Sequence, residues 1–143
     1  MGIWKQAAEL EKINALNAGS MVEHLGMRIT DIGDDYLRGT MPVDARTKQP
    51  FGLLHGGASV ALAESLGSLA GTMCLDANEM AVGIDINANH VRAITEGVVT
   101  GTARPLHLGR STQVWEIRIE DERGKLVCIS RLTLAVVPRP RAV

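Results

Sequence analysis

Glu64 is the single charged residue in a 20-residue stretch, Gly56 to Leu75, that reads GGASVALAESLGSLAGTMCL. A carboxylate in such surroundings is a candidate nucleophile or general base. Burial disfavours the charged form of a carboxylate, and a buried Glu is rare unless it is paired or used. Ser68 follows one helical turn later and points the same way, placed to hydrogen-bond the acid or a substrate. The stretch opens on His55-Gly56-Gly57. Amides at a helix start have no intrahelical acceptor and carry the positive end of the helix dipole. They can hold an oxyanion, and glycine lets a substrate come near. A lone His before a helix is ordinarily a cap or a packing residue. Together with an amide-bearing helix end and a helix carboxylate, it points to a carboxylate-plus-oxyanion-hole site.

Other chemistries lack their residues. Ser59, Ser65 and Ser68 do not have the flanking glycines of a G-x-S-x-G elbow. Neither H-E-x-x-H nor H-x-x-x-H occurs, so no metal site is expected. Dinucleotide and P-loop glycine patterns are absent as well. Cys74 and Cys128 stand far apart and outside any C-x-x-C pair, which removes the disulfide-framework and zinc readings. With 15 Lys+Arg against 16 Asp+Glu the net charge is -1, and two Trp, one Tyr and one Phe are the only aromatics. Nucleic-acid binding needs a basic face or a stacking platform, and this chain has neither.

The elements that must position these groups follow from periodicity. At 143 residues, 45% hydrophobic and 22% charged, the chain reads as a single globular domain spanning 1–143. Ile3, Trp4, Ala7, Leu10, Ile13 and Leu16 predict a helix over 3–17 stopped at Gly19. Ser20-Met21-Val22-Glu23 predicts a capping box and a short helix ended by Gly26. From Met27 the period becomes two, with strands over MRITDI and YLRGTMPV joined at Gly33-Asp34-Asp35. A Pro/Gly-rich loop then leads into the long helix. Strand patterns follow over Ala81–Val91, Val98–Leu106, Thr112–Glu120 and Leu126–Val137, with a hairpin turn at Asp121-Glu122-Arg123-Gly124. Residues 138–143 carry two prolines and are expected to be a loose tail. An antiparallel sheet curled around one long apolar helix gives an α+β fold.

The 20-residue stretch has the length of a bilayer helix. It also contains Glu64, several Ser and Gly, and no flanking aromatic or basic anchors, so it reads as a buried soluble helix. The N-terminal MGIWKQAAELEK becomes charged too early for a signal peptide. A cytoplasmic protein that contacts no membrane is the expectation. On the helix, Leu62, Leu66, Leu69 and Met73 form the stripe that packs on the sheet. Gly57, Ala61, Glu64, Ser65, Ser68, Gly71 and Thr72 form the other side. That side is either a solvated face or one approached closely by a ligand or a second backbone. Its small side chains favour close approach, since Gly67 and Gly71 each cost about 1 kcal/mol against Ala in a helix.

MPVDARTKQPFGLLHGGASVALAES at 41–65, INANHVR at 86–92 and PLHLGRSTQVW at 105–115 resemble the hotdog-fold acyl-CoA thioesterases, in particular the phenylacetate-type group that includes enzymes of menaquinone synthesis. The similarity runs from about Trp4 to Val137. The resemblance implies a sheet wrapped around a central helix, a homodimer joined sheet edge to sheet edge with active sites at the interface, and a pairing of dimers into a tetramer. Glu64 matches the family's carboxylate, acting as nucleophile or as general base on water. Gly56 of the other subunit would supply the N–H that polarises the thioester carbonyl. Gln49 would orient the reacting groups, His55 would support the carbonyl or the departing thiol, and Ser68 would place a hydroxyl near the acid. Coenzyme A contacts would fall on Gly83, on His90, Val91, Arg92 and Ala93, and on His107, Leu108, Gly109, Arg110, Ser111 and Thr112. Arg92 and Arg110 have the guanidinium fork that suits phosphate, although Arg110-Ser111 reverses the group's Ser-Arg order. By strand register alone, His90 goes with Val82, Ile84 and Ile86 and reads as a core histidine.

The implied activity is hydrolysis of an aryl- or acyl-CoA, such as a 1,4-dihydroxy-2-naphthoyl-CoA or benzoyl-CoA-like thioester. Coenzyme A is then part of the substrate, and no separate cofactor is expected. A hotdog dehydratase or hydratase is the second reading, although the nine-residue spacing of His55 and Glu64 is short for that branch. A non-catalytic acyl-CoA sensor is the third.

Overall fold

The alternation of Trp115, Ile117 and Ile119 with Glu116, Arg118 and Glu120 is the pattern of a strand with one buried and one wetter face. In the computed structural model, which describes residues 2–140, all three apolar side chains are fully buried. They lie on β5 (Thr112–Glu120), in the middle of a six-stranded antiparallel sheet. The other elements are α1 (Leu10–Leu16), α2 (Met21–His24), β1 (Arg28–Ile32), β2 (Leu37–Pro42), α3 (Gly56–Met73), β3 (Glu79–His90), β4 (Val98–Leu108) and β6 (Leu126–Pro138). Strand order is β1-β2-β4-β5-β6-β3. The connection through α3 therefore carries the chain from β2, near one edge, to β3 at the opposite edge.

Helix α3 lies on the sheet, and the core is the layer between them. Leu62, Leu66 and Met73 meet Leu37, Met41, Val99, Ala103, Ile117, Leu132 and Leu134 there. Truncating a leucine in such a place costs about 2–5 kcal/mol. Gly67 and Gly71 serve this layer rather than a ligand or a second copy. A Cβ on Gly67 would stand 2.5 Å from Leu132 Cδ2, and one on Gly71 would stand 2.5 Å from both Gln113 Oε1 and Leu134 Cδ1. Gly71 thus belongs to the sheet side of the helix, contrary to the face expected from the wheel. Small residues let the two layers of one chain close up. Gln113 fastens them, donating from Nε2 to the Gly71 carbonyl (3.2 Å) and accepting from Trp115 Nε1 (2.9 Å).

The expected helix over 3–17 is cut short. Residues before Leu10 instead strap the end of α3, where backbone carbonyls lack intrahelical donors. The Lys5 and Gln6 amides donate to the Met73 carbonyl (2.9 and 3.2 Å), and Gln6 Nε2 donates to the carbonyls of Thr72 and Leu75. Trp4 stacks on Trp115 and donates from Nε1 to the Gly33 carbonyl. Capping another helix wins here over local periodicity.

Only half of the capping box forms. Ser20 Oγ accepts from the Val22 amide, while the Ser20 amide bonds Asn17 O rather than Glu23. At the other end β6 runs on to Pro138, which pairs with Glu79, and the Arg139 amide donates to Asn78 O. The first part of the expected tail is therefore tied to the sheet, and 141–143 lie outside the described residues. Among the described residues no helix is long and apolar enough to cross a membrane.

Candidate active site

His55 is the N-cap of α3, and its role as a cap is plain. Its Nδ1 accepts from the Gly57 amide at 2.8 Å, and its carbonyl accepts from the amides of Ala58 and Ser59. Of the first four amides of α3, that of Gly56 alone makes no hydrogen bond among the described residues. A free N–H at the positive end of an 18-residue helix is an anion-stabilising donor.

The loop before the helix is held to present this amide. Thr47 is buried, its hydroxyl donating to Pro42 O at 2.7 Å and its carbonyl accepting the His55 amide. Gln49 turns its side-chain oxygen inward to the amides of Phe51 and Leu53. With Oε1 engaged in the loop, the Gln49 Nε2 remains as a hydrogen-bond donor.

Gln49, Gly56, His90, Val91, Arg92 and Ala93 line one cleft of about 470 Å³. The His90 ring lies beside Gly56, where an added Cβ would stand 3.1 Å from Cε1 and Nε2. His90 is exposed, and so are Val82 and Ile84. These residues are therefore not core, because β3 is an edge strand with no further strand beside it among the described residues. Leu53, Leu54, Ser59 and Val127 complete the cleft and were not anticipated. Paired leucines inside a Pro/Gly-rich loop were the available signal, since a loop between elements is normally polar.

Glu64 is elsewhere. It is half-buried on α3, and its carboxylate lies over Gly83 of β3, so close that a Cβ on Gly83 would run into Oε2. Ser68 is half-buried one turn on. The remaining expected contacts form a third group. Gly109, Arg110, Ser111 and Thr112 make the β4–β5 hairpin with His107 and Leu108, closed by a Gly109 amide bond to Thr112 O.

Register places this hairpin at the Gly83 end of the sheet. Thr112 pairs with Ala135, which pairs with Val82, whereas His90 pairs with Cys128 and so with Ile119 at the other end. Eight residues of strand separate Val82 from His90, about 26 Å. One chain thus brings together Gln49, Gly56 and His90–Ala93 at one end. It brings Glu64, Gly83 and the 107–112 hairpin toward the other.

An antiparallel sheet wrapped on one long helix is the hotdog architecture, and a half-buried carboxylate with an unengaged helix-start amide is equipment that thioester hydrolysis can use. The thioesterase superfamily model matches residues 51–128, and the chain belongs to that family. It is 58% identical to the 1,4-dihydroxy-2-naphthoyl-CoA hydrolase of Escherichia coli, over 94% of this chain and 99% of that one. It is 56% identical to the proofreading thioesterase EntH of Cronobacter turicensis, over 94% of this chain and 98% of the relative. A thioesterase crystal structure from Haemophilus influenzae superposes with a TM-score of 0.94 at 54% identity, covering 95% of each chain. Among the three activities weighed from sequence, these relatives stand with thioester hydrolysis.

Proposed function

We propose that this thioesterase hydrolyses an aryl- or acyl-CoA thioester, with a 1,4-dihydroxy-2-naphthoyl-CoA or benzoyl-CoA-like substrate as the best candidate, at sites shared between two copies of the chain. The unengaged Gly56 amide is the observation that carries the reading. Eight residues of helix, about 12 Å of rise, separate it from Glu64 on the same α3, so the two cannot meet one carbonyl group within a single chain. The free edge of β3 supports a solution. Antiparallel pairing of two β3 strands about a two-fold axis sets the Gly83 end of one beside the His90 end of the other. Glu64 of one copy then faces Gly56 of its partner.

In that arrangement the Gly56 N–H polarises the thioester carbonyl, and Glu64 attacks the carbonyl carbon or deprotonates the water that does. The tetrahedral oxyanion forms against the helix dipole, and collapse expels the coenzyme A thiolate, leaving the free acid where water attacked, or a Glu64 acyl anhydride that water then hydrolyses where Glu64 did. Gln49 donates to the reacting oxygens through Nε2. His55, with Nδ1 engaged by the Gly57 amide, shapes the helix start that presents Gly56. Ser68 steadies the carboxylate. A cytoplasmic location and pairing of dimers into a tetramer go with this reading.

Subunit complementation tests it. Gly56 is the first residue of α3, where proline is tolerated, and His55 already has the extended backbone that precedes proline (φ -68, ψ 131). Gly56→Pro therefore removes the N–H with little change to the helix backbone, the His90 ring giving way by a few tenths of an ångström to the new Cβ. Gly56→Pro and Glu64→Ala are each expected to be nearly inactive. Co-refolded in equal amounts, they should regain about a quarter of wild-type turnover, because half of the dimers then hold one intact site. No recovery on mixing would refute the shared site.

A further inference from the structure

Among the described residues five polar side chains are buried: Thr47, Ser59, Thr102, Gln113 and Ser130. Four have partners inside the protein. Thr47 Oγ1 donates to Pro42 O, Thr102 Oγ1 accepts from Arg38 Nε, Gln113 bridges Gly71 and Trp115, and Ser130 Oγ lies 3.8 Å from Cys128 Sγ. Ser59 differs. It is 2% exposed, and its hydroxyl makes no hydrogen bond among the described residues. No fully enclosed side-chain nitrogen or oxygen there lacks a partner, so the Ser59 oxygen is not sealed in. It opens on the cleft that Ser59 lines with Gly56, His90 and Val127.

Alanine would suit this position better as far as folding goes. It is the stronger helix former, and it leaves no hydroxyl stripped of water without a hydrogen bond in return. A serine here calls for a partner from outside the chain. The helix sets its direction. Ser59 is the fourth residue of α3, three after Gly56. Residues three apart share a face, and helical side chains tilt toward the N-terminus. The hydroxyl therefore leans toward the turn whose first amide, that of Gly56, is unengaged. One oxygen atom seated in the cleft can meet both donors.

We propose that the Ser59 hydroxyl is a second donor to the thioester carbonyl oxygen, beside the Gly56 N–H of the same copy. The proposal rests on the thioesterase reading above, in which Glu64 comes from the partner. The carbonyl oxygen becomes an oxyanion as the tetrahedral intermediate forms, and a donor already in place strengthens most at that moment. Ser59 keeps its proton throughout, and none of its bonds is made or broken.

Ser59→Ala tests it. With benzoyl-CoA, kcat should fall about 100-fold while KM stays within about twofold. The melting temperature should equal or exceed that of the wild type, because an unpaired hydroxyl has gone. An unchanged kcat would overturn the proposal. So would a raised KM with kcat retained, the mark of a contact to a part of the substrate that does not react. A kcat loss accompanied by a lower melting temperature would make Ser59 structural and overturn it as well. Should the wild type hydrolyse no benzoyl-CoA, the functional reading fails, and the ketone isostere of benzoyl-CoA, with methylene in place of sulfur, still decides the donor. Isotope-edited infrared spectroscopy of its carbon-13 carbonyl reads the hydrogen bonds directly. The stretch should lie lower on the wild type than on Ser59→Ala. Equal frequencies on the two proteins, or no binding by the wild type, reject the second donor.

Discussion

The Glu64 carboxylate rests on the backbone of Gly83, where no side chain can be accommodated without moving the acid. The carboxylate overlooks the free edge of that strand, and a side chain at position 83 would have to swing the end of Glu64 aside.

Glu64 is expected to dominate the chemistry. General-base assistance contributes about 10²–10⁴-fold, so Glu64→Gln or Glu64→Ala should lower kcat at least about 100-fold. Its circular dichroism and melting temperature should match the wild type. Gln49→Ala and Ser68→Ala should cost less, and a loss as large as that of Glu64 in either would reassign the roles. Steady-state release of thiol from benzoyl-CoA reads all three.

Gly83→Ala should act as a displaced-carboxylate variant. The added methyl occupies the place of Glu64 Oε2, and small misplacements of a reacting group cost about 100-fold. Turnover should fall by up to about that factor while the sheet stays folded. Wild-type turnover in Gly83→Ala would show that the acid works from another position.

Gly71→Ala should destabilise the protein although alanine is the better helix former. The helix gains about 1 kcal/mol, but overpacking a filled core costs about 1–3 kcal/mol. The methyl would meet Gln113 Oε1, which is held by Trp115 Nε1, and Leu134 Cδ1. Packing should win. Chemical denaturation should give a net loss of up to about 2 kcal/mol, and a stabilised variant would refute the close helix–sheet contact.

Both thiols should be silent in the native state. Burial pushes the Cys74 thiol up to about 11, opposed only weakly by Lys5, and burial likewise raises Cys128 against its contact with Ser130. Neither forms thiolate near neutral pH, so a thiol reagent should titrate no protein cysteine until denaturant is added and two thereafter. Linkage sets the sign at alkaline pH. The folded state binds the Cys74 proton more tightly than the unfolded state, so stability is full below the ordinary thiol pKa near 9.0 and declines as pH rises toward about 11. Melting curves across that window check it, and Cys74→Ala should flatten the decline.

What lies close together along the chain was legible in the sequence. Element order, strand spans, the hairpin turn at 121–124 and the helix-start glycines were all readable, because backbone periodicity and capping are set within a few residues. Glu64 stood out because an acid in an apolar helix needs a reason. Tertiary structure decided the rest. The N-terminal residues left their helical pattern to cap α3, and Gly67 and Gly71 turned toward their own sheet. Val82, Ile84 and His90 became an exposed edge rather than core. These outcomes depend on which strand lies beside which and on what each helix end lacks, and such long-range pairing leaves no periodic trace in a strand or helix read alone. The separation of Gly56 from Glu64, by contrast, is local: one rigid helix keeps them about 12 Å apart along its axis.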